Sequence, residues 1–544
     1  MGEVLRAGKD YFGAARRLRA ALLTSSALAL AWTLPATPSH AQDATWLASP
    51  GSNGYVFGSN WSIGTVPSGT AFFGASNTTG LSIPANDETN TTNVGGWTFN
   101  AGAGNYTFAN GQSLNFNGAG VAINGGSATI TVVDQGGINF LNASTAGGAT
   151  IVNNNVSGAV NFYNTSTAGT ATITTYGDVN FYNSSTAGSA NITVNYNGDD
   201  GGRLLFNDTS SAGSATVTNN MLVYFKNTST AGSAAITNNG GVNFSGASTA
   251  GNATITNIFH GTTSFQNTAT AGTAQLVNSG TSTFFDFSGS SGPNGDHKLS
   301  AGSIGGNGTF YLGANALTVG GNNLSTAVTG VIADGGTSGG TGASLVKTGT
   351  GTMTLSGVNT YTGGTTVNGG TLQAGAANGF SPTSQMALNA GGTLDLGDFA
   401  QTIKTVSLAG GTLQNGSLTG AVNSSGGTIN ALGGSLSLTT TSGTTLVTGI
   451  NSFTGGTTVN GGVLDVIGTL SDPTVNSGGT LIGTGSVGAT QVNAAGTFAP
   501  GNGTPGTSMT VTGNLAFQSG AIYLVQVNPS AASFATVTGS AAPR

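Results

Sequence analysis

The chain has no cysteine in 544 residues, which excludes a disulfide frame and any thiolate nucleophile or thiolate metal site. Charge is almost as scarce, with Lys, Arg, Asp and Glu together only 5% of the sequence. Nucleic acid is excluded as a partner, because phosphate binding needs clustered Lys and Arg. Past residue 41 six basic and fifteen acidic residues remain, a formal charge of −9, so solubility rests on Asn, Thr and Ser. Histidine is reduced there to His260 and His297, and glutamate to Glu88. Helix is excluded by composition, since glycine supplies 94 residues and Thr, Ser and Asn most of the rest. No stretch past residue 41 is long and apolar enough to span a membrane as a helix.

What is present is a repeat. Phe140, Phe162, Phe181, Phe206, Phe225, Phe244 and Phe265 are each followed by Gly147, Gly169, Gly188, Gly213, Gly232, Gly251 and Gly272, and then by Ile151, Ile173, Ile192, Val217, Ile236, Ile255 and Leu276. The shortest repeat is 19 residues, and longer copies take their extra residues between the aliphatic and the next Phe. A rigid segment with a single tolerant loop is the behaviour of a solenoid. Val160-Asn161-Phe162 and Ala171-Thr172-Ile173 alternate apolar and polar, which is the period of a strand. Ala stands two residues after each repeat Gly, at an inward position with room for nothing larger. Asn142, Asn164, Asn183, Asp208, Asn227, Gly246 and Asn267 stand two residues after each Phe and predict a left-handed turn there.

These patterns predict an all-β chain folded as a right-handed parallel β-helix, a β-solenoid of about 19–25 residues per rung with ladders of like residues. Its length corresponds to roughly 25 rungs, or about 120 Å at the strand spacing. Residues 1–41 are expected to be a secretory signal: Arg6, Lys9, Arg16, Arg17 and Arg19 precede an apolar run from Ala20 to Leu34 and a Ser39-His40-Ala41 cleavage site. A cap region is expected over 42–115, the regular repeat over 116–280, irregular rungs over 281–344 and a second repeat region over 345–544.

Chemistry has little to stand on, and no catalytic, cofactor-binding or metal-binding residue is expected. His297 lies in the polar insertion Gly295-Asp296-His297-Lys298, and His260 follows Ile258-Phe259 between rungs. Neither has a Gly-x-Ser-x-Gly elbow nearby, so both read as loop residues and the chain as no enzyme. Asp199, Asp200 and Asp208 are the densest acidic spot, but the repeated glycine-aspartate pattern of a calcium solenoid is missing, and they read as a hydrated loop. The Phe ladder reads as core rather than a stacking platform, since it alternates with Asn.

From Leu345 the pattern changes. Asn359-Thr360-Tyr361-Thr362-Gly363-Gly364-Thr365-Thr366-Val367-Asn368-Gly369-Gly370-Thr371-Leu372 has a second copy over Asn451 to Leu464, and Gly-Gly-Thr-Leu recurs at Gly391, Gly410 and Gly478. These blocks resemble the passenger-associated transport repeat of bacterial autotransporters (type V secretion). The segment with Trp46, Trp61, Val66-Pro67 and Trp97 is similar to the head of such passengers, where aromatics cap the first rung. The resemblance implies an exported, adhesive cell-surface stalk without catalytic activity. Its implied partners are glycans or cell-surface ligands and an outer-membrane translocator barrel. No series of transmembrane strands stands between residues 345 and 544, so that barrel is expected to be missing from this polypeptide. Two other readings remain open: a glycan-active enzyme on the same scaffold, and a non-functional remnant of an autotransporter that lost its barrel. The expected location is the outer membrane, cell surface or medium, or the periplasm for a chain without a barrel.

Overall fold

The computed structural model describes residues 41–85, 91–196 and 201–543. Apart from Ala41, the expected signal segment lies outside the described residues, as do Glu88 and the Asp199-Asp200 pair. Among the described residues the regular structure is strand, save one turn of 3-10 helix at Gly58–Asn60.

Alternation puts every second side chain inside, and stacking then extends each pattern along an axis. Ala159–Phe162 pairs in parallel with Gly137–Phe140 before it and Asp178–Phe181 after it, valine on valine and phenylalanine on phenylalanine. This wall holds fourteen strands, from Ala44–Thr45 to Val331–Ala333. A second wall carries the aliphatics, with Thr172–Thr175 between Thr150–Asn153 and Asn191–Val194, so that Ile151, Ile173 and Ile192 align. Between the walls runs a corner of single bridges through Thr145, Thr167, Thr186, Ser211, Thr230, Thr249 and Thr270. The result is a parallel β-solenoid of about twenty turns, or about 100 Å at the strand spacing. That is fewer turns than division by the shortest repeat suggests, because later turns spend more residues between strands.

The interior is stepped. Phe116, Phe140, Phe162, Phe181, Phe206, Phe225, Phe244, Phe265 and Phe287 form one stack, each ring 4.6–5.0 Å from the next and within 9° of parallel. The stack is longer than the sequence repeat at both ends, and Phe287 reaches it through a bulge after Ser264. Ala149, Ala171, Ala190, Ala215, Ala234, Ala253 and Ala274 are fully buried, the inward places expected to admit nothing larger.

Turns repeat as faithfully as strands. Asn164 and its counterparts take φ between 55° and 60°, with Gly246 at 71°. The side chain closes a ladder between rungs: the Asn142 N–H donates to Asn164 Oδ1 at 3.0 Å, and the Asn164 N–H to Asn183 Oδ1 at 3.0 Å. Gly169 is required for two reasons: its φ is 63°, and a Cβ there would lie 2.9 Å from the carbonyl oxygen of Gly147 in the rung before.

The N-terminal end is plugged by aromatics. Trp46, Tyr55, Trp61, Phe73, Trp97, Phe99 and Tyr106 are all buried, and Trp46 bridges Trp61 antiparallel at the start of the stack. The Trp61 indole donates to the Tyr55 carbonyl at 2.8 Å and the Trp97 indole to the Tyr55 hydroxyl at 3.0 Å. Past the regular repeat the walls change hands. The phenylalanine wall ends at Ala333, while a new series begins at Lys298–Ala301. The long strand Thr412–Ser424 pairs with Gly392–Asp395 at one end and with Ala400–Ala409 along the rest, joining two walls.

Candidate binding surface

The outward face of the phenylalanine wall begins as an amide ladder. Asn115, Asn139, Asn161 and Asn180 each donate Nδ2 to the Oδ1 of the asparagine one rung earlier, at 2.7–2.9 Å. Beside and after it the face changes character. Arg203 holds Asp178 of the previous rung through two bonds of 2.9 and 2.7 Å. Tyr163 and Tyr182 stack at 5.0 Å, and the Lys226 ammonium sits 5.3 Å from the centre of the Tyr224 ring. Burial first, then the neighbouring Tyr163 and the carboxylates of Asp178 and Asp208, raise the Tyr182 pKa. Sequence reasoning missed this patch: Tyr163 and Tyr182 share one repeat position, but Arg203 and Lys226 each depart from the repeat singly, and only rung stacking brings them together.

On the opposite edge the corner glycines leave a shallow groove of about 820 Å³, lined by Gly169, Gly188, Gly213 and Gly232 with Thr170, Ser189, Ser214 and Ser233. Its hydroxyls are partly spent: Ser189, Ser214 and Ser233 donate to glycine carbonyls one rung back, at 3.3–3.4 Å.

The residues weighed for chemistry are scattered. His297 lies in a left-handed turn with Nδ1 2.8 Å from Asn315 Oδ1, and His260 lies on a separate exposed loop. Asp208 sits in the turn ladder, where Oδ2 accepts the Asn183 N–H at 2.8 Å. Other carboxylates pin loops: Asp334 accepts the N–H groups of Gly342, Ala343 and Thr362, and Asp286 those of Ser288 and Thr337. Among the described residues no three His, Asp or Glu side chains gather as metal ligands would.

The two later blocks superimpose in role as well as in letters. Asn359 Oδ1 accepts the Ile332 N–H at 2.8 Å while its Nδ2 donates to the Gly379 carbonyl at 2.6 Å, tying the rung before to the rung after. Asn451 does the same with the Leu432 N–H at 3.0 Å and the Thr469 carbonyl at 3.2 Å. Tyr361 and Phe453 are the buried aromatics that follow. Lys347 Nζ donates to the Gly369 carbonyl at 3.2 Å, and Thr440 Oγ1 to the matching Gly461 carbonyl at 3.0 Å. Burial lowers the Lys347 pKa.

A family model described as Passenger-associated-transport-repeat matches residues 345–374 and 433–466. The chain carries the repeats of an autotransporter passenger. The chain is also similar to the adhesin BmaC autotransporter of Brucella suis biovar 1 (strain 1330), 37% identical over 138 residues. The match covers 23% of this chain and 4% of that adhesin. No solved structure gives a significant match to this chain.

Proposed function

We propose that this passenger is an exported, non-catalytic adhesive stalk that meets glycans or other cell-surface ligands through many weak contacts. The observation that carries it is a solenoid of about twenty turns whose walls present hydroxyl, amide and tyrosine side chains outward in ladders. Such a surface gives contact area without a deep cleft, and linked weak contacts multiply into useful avidity. The adhesin named above, similar over 23% of this chain, supports the same reading. Its working place would be the cell surface, reached through an outer-membrane translocator. The carboxylates that bind loop N–H groups or Arg203 are spent structurally, which weighs against a glycan-cleaving enzyme on this scaffold.

Purified passenger coupled to beads tests this. We expect beads to attach to cultured cells or to immobilised mixed glycans above a level set by uncoated beads, and the same protein to release no reducing ends from a polysaccharide panel. Attachment no better than bare beads would retire the adhesive role, and sustained release of reducing ends would install the enzyme instead.

A further inference from the structure

Between the aliphatic and phenylalanine walls the shortest connections are two residues, as at Tyr176-Gly177, Asn220-Met221 and Asn239-Gly240, and other rungs take longer loops. Between Asn257 and Thr262 the chain takes four residues, Ile258-Phe259-His260-Gly261, closed by the Gly261 N–H on the Ile258 carbonyl at 2.7 Å.

Phe259 breaks two rules at once. Its φ is +52°, and of the fifteen non-glycine residues in the left-handed region among those described it alone has a large apolar side chain. Asparagine, aspartate or glycine satisfies that geometry nearly everywhere else in the chain. Its ring is also 69% exposed and makes no ring contact among the described residues. Neither burial nor turn geometry explains a phenylalanine here, and an outlier retained against both points to a role outside folding.

The next connection, 279–283, is long as well, and the two loops enclose a groove of about 570 Å³ lined by Ile258, Phe259, His260 and Ser279 to Ser282. That volume is in the range of small-ligand sites. Its lining includes no carboxylate, ammonium or guanidinium group, which disfavours a charged ligand. The hydroxyls of Ser279, Thr281 and Ser282 are exposed and have no hydrogen-bond partner among the described residues. Hydroxyls both donate and accept, and so does a neutral imidazole. One upright aromatic face beside such groups suits a molecule with an apolar C–H face rimmed by hydroxyls. A pyranose is such a molecule, its C–H face complementing the negative face of the ring. An apolar peptide would leave the three hydroxyls without partners.

We propose that the groove between residues 258–261 and 279–282 is a saccharide-binding site for a neutral pyranose, stacked on Phe259 and hydrogen-bonded by His260, Ser279, Thr281 and Ser282. It rests on the adhesive reading and names one place where that adhesion is specific.

The test uses the whole purified passenger, titrated calorimetrically with neutral cello-, manno-, galacto- and fully N-acetylated chitohexaose. At least one is expected to bind. Phe259→Gly is expected to weaken that binding by about tenfold or more, while leaving Tm unchanged or raised, because glycine prefers the left-handed turn. Ser282→Ala is expected to weaken binding at unchanged Tm. The site is overturned if wild type binds none of the four, if Phe259→Gly binds as tightly as wild type, or if Phe259→Gly lowers Tm and so shows the ring to be structural. Bead attachment that persists in Phe259→Gly protein while hexasaccharide binding is lost would support this site and leave the wider adhesive role standing beside it.

Discussion

At the scale of the residue, the two passenger repeats differ at their buried aromatic, Tyr361 in the first copy and Phe453 in the second. The Tyr361 hydroxyl lies 2.6 Å from Thr365 Oγ1, which lies 3.0 Å from Ser384 Oγ, all within the core. Burial, opposed by those two hydroxyls, pushes the Tyr361 pKa up to about 12. In the second copy Phe453 has no hydroxyl, and Thr457 Oγ1 is buried without a partner. The same substitution should therefore have opposite effects. Thr365→Val is expected to cost about 1 kcal/mol, and Thr457→Val to add stability of up to about 1–3 kcal/mol by removing an orphaned hydroxyl. Denaturant midpoints of the two variants check this, and shifts of the same sign would refute the assignment. Asp465 carries a second residue-scale prediction. It stands outward between Leu446 and Ile482, its Oδ1 is buried without a partner, and burial raises its pKa. A carboxyl whose folded pKa is raised supports folding most below its unfolded pKa, and that support is lost as pH rises through the folded value. Asp465→Asn should flatten this part of the pH dependence and be the more stable protein at neutral pH. Thermal melts across the acid range read it directly, and identical profiles would sink it.

At the scale of the element, stability belongs to ladders rather than to single strands. Phe225 stacks on Phe206 at 4.8 Å and on Phe244 at 4.6 Å, fully buried. Phe225→Ala is expected to cost about 3–5 kcal/mol, and in a quasi-one-dimensional fold the loss should stay in nearby rungs. Hydrogen exchange should quicken around residues 206 to 244 and remain unchanged in the passenger repeats; uniform quickening would contradict local coupling. Asn219, Asn238 and Asn257 show the polar counterpart, an amide ladder buried in the aliphatic wall with bonds of 2.7 and 2.8 Å. It survives burial because each Nδ2 also finds a carbonyl of the phenylalanine wall, such as that of Thr262 at 2.9 Å from Asn238.

At the scale of the molecule, electrostatics holds little. Among the described residues there are two ion pairs, Arg203 with Asp178 and Lys298 with Asp296, and the second is largely exposed. Exposed pairs of this kind are screened by salt and worth little. Tm is therefore expected to be the same in dilute buffer and in molar sodium chloride, and a fall of several degrees would show that charge matters more than stacking. The division between sequence and structure follows the same physics. Period and residue type alone determined the strands, the inward Phe, Ala and Ile, the left-handed Asn turns and the solenoid class, because each is a local preference repeated until it becomes a core. Stacking alone decided which rung neighbours which. It set Phe287 on Phe265 through a bulge, handed one wall to another after Lys298, gathered Arg203, Tyr182 and Lys226 on one face, and opened the groove beside Phe259. Those residues stand about 20 or more positions apart or in loops of irregular length, so no period announces them. Their meeting depends on the number of residues each turn consumes, which is settled only when the coil closes.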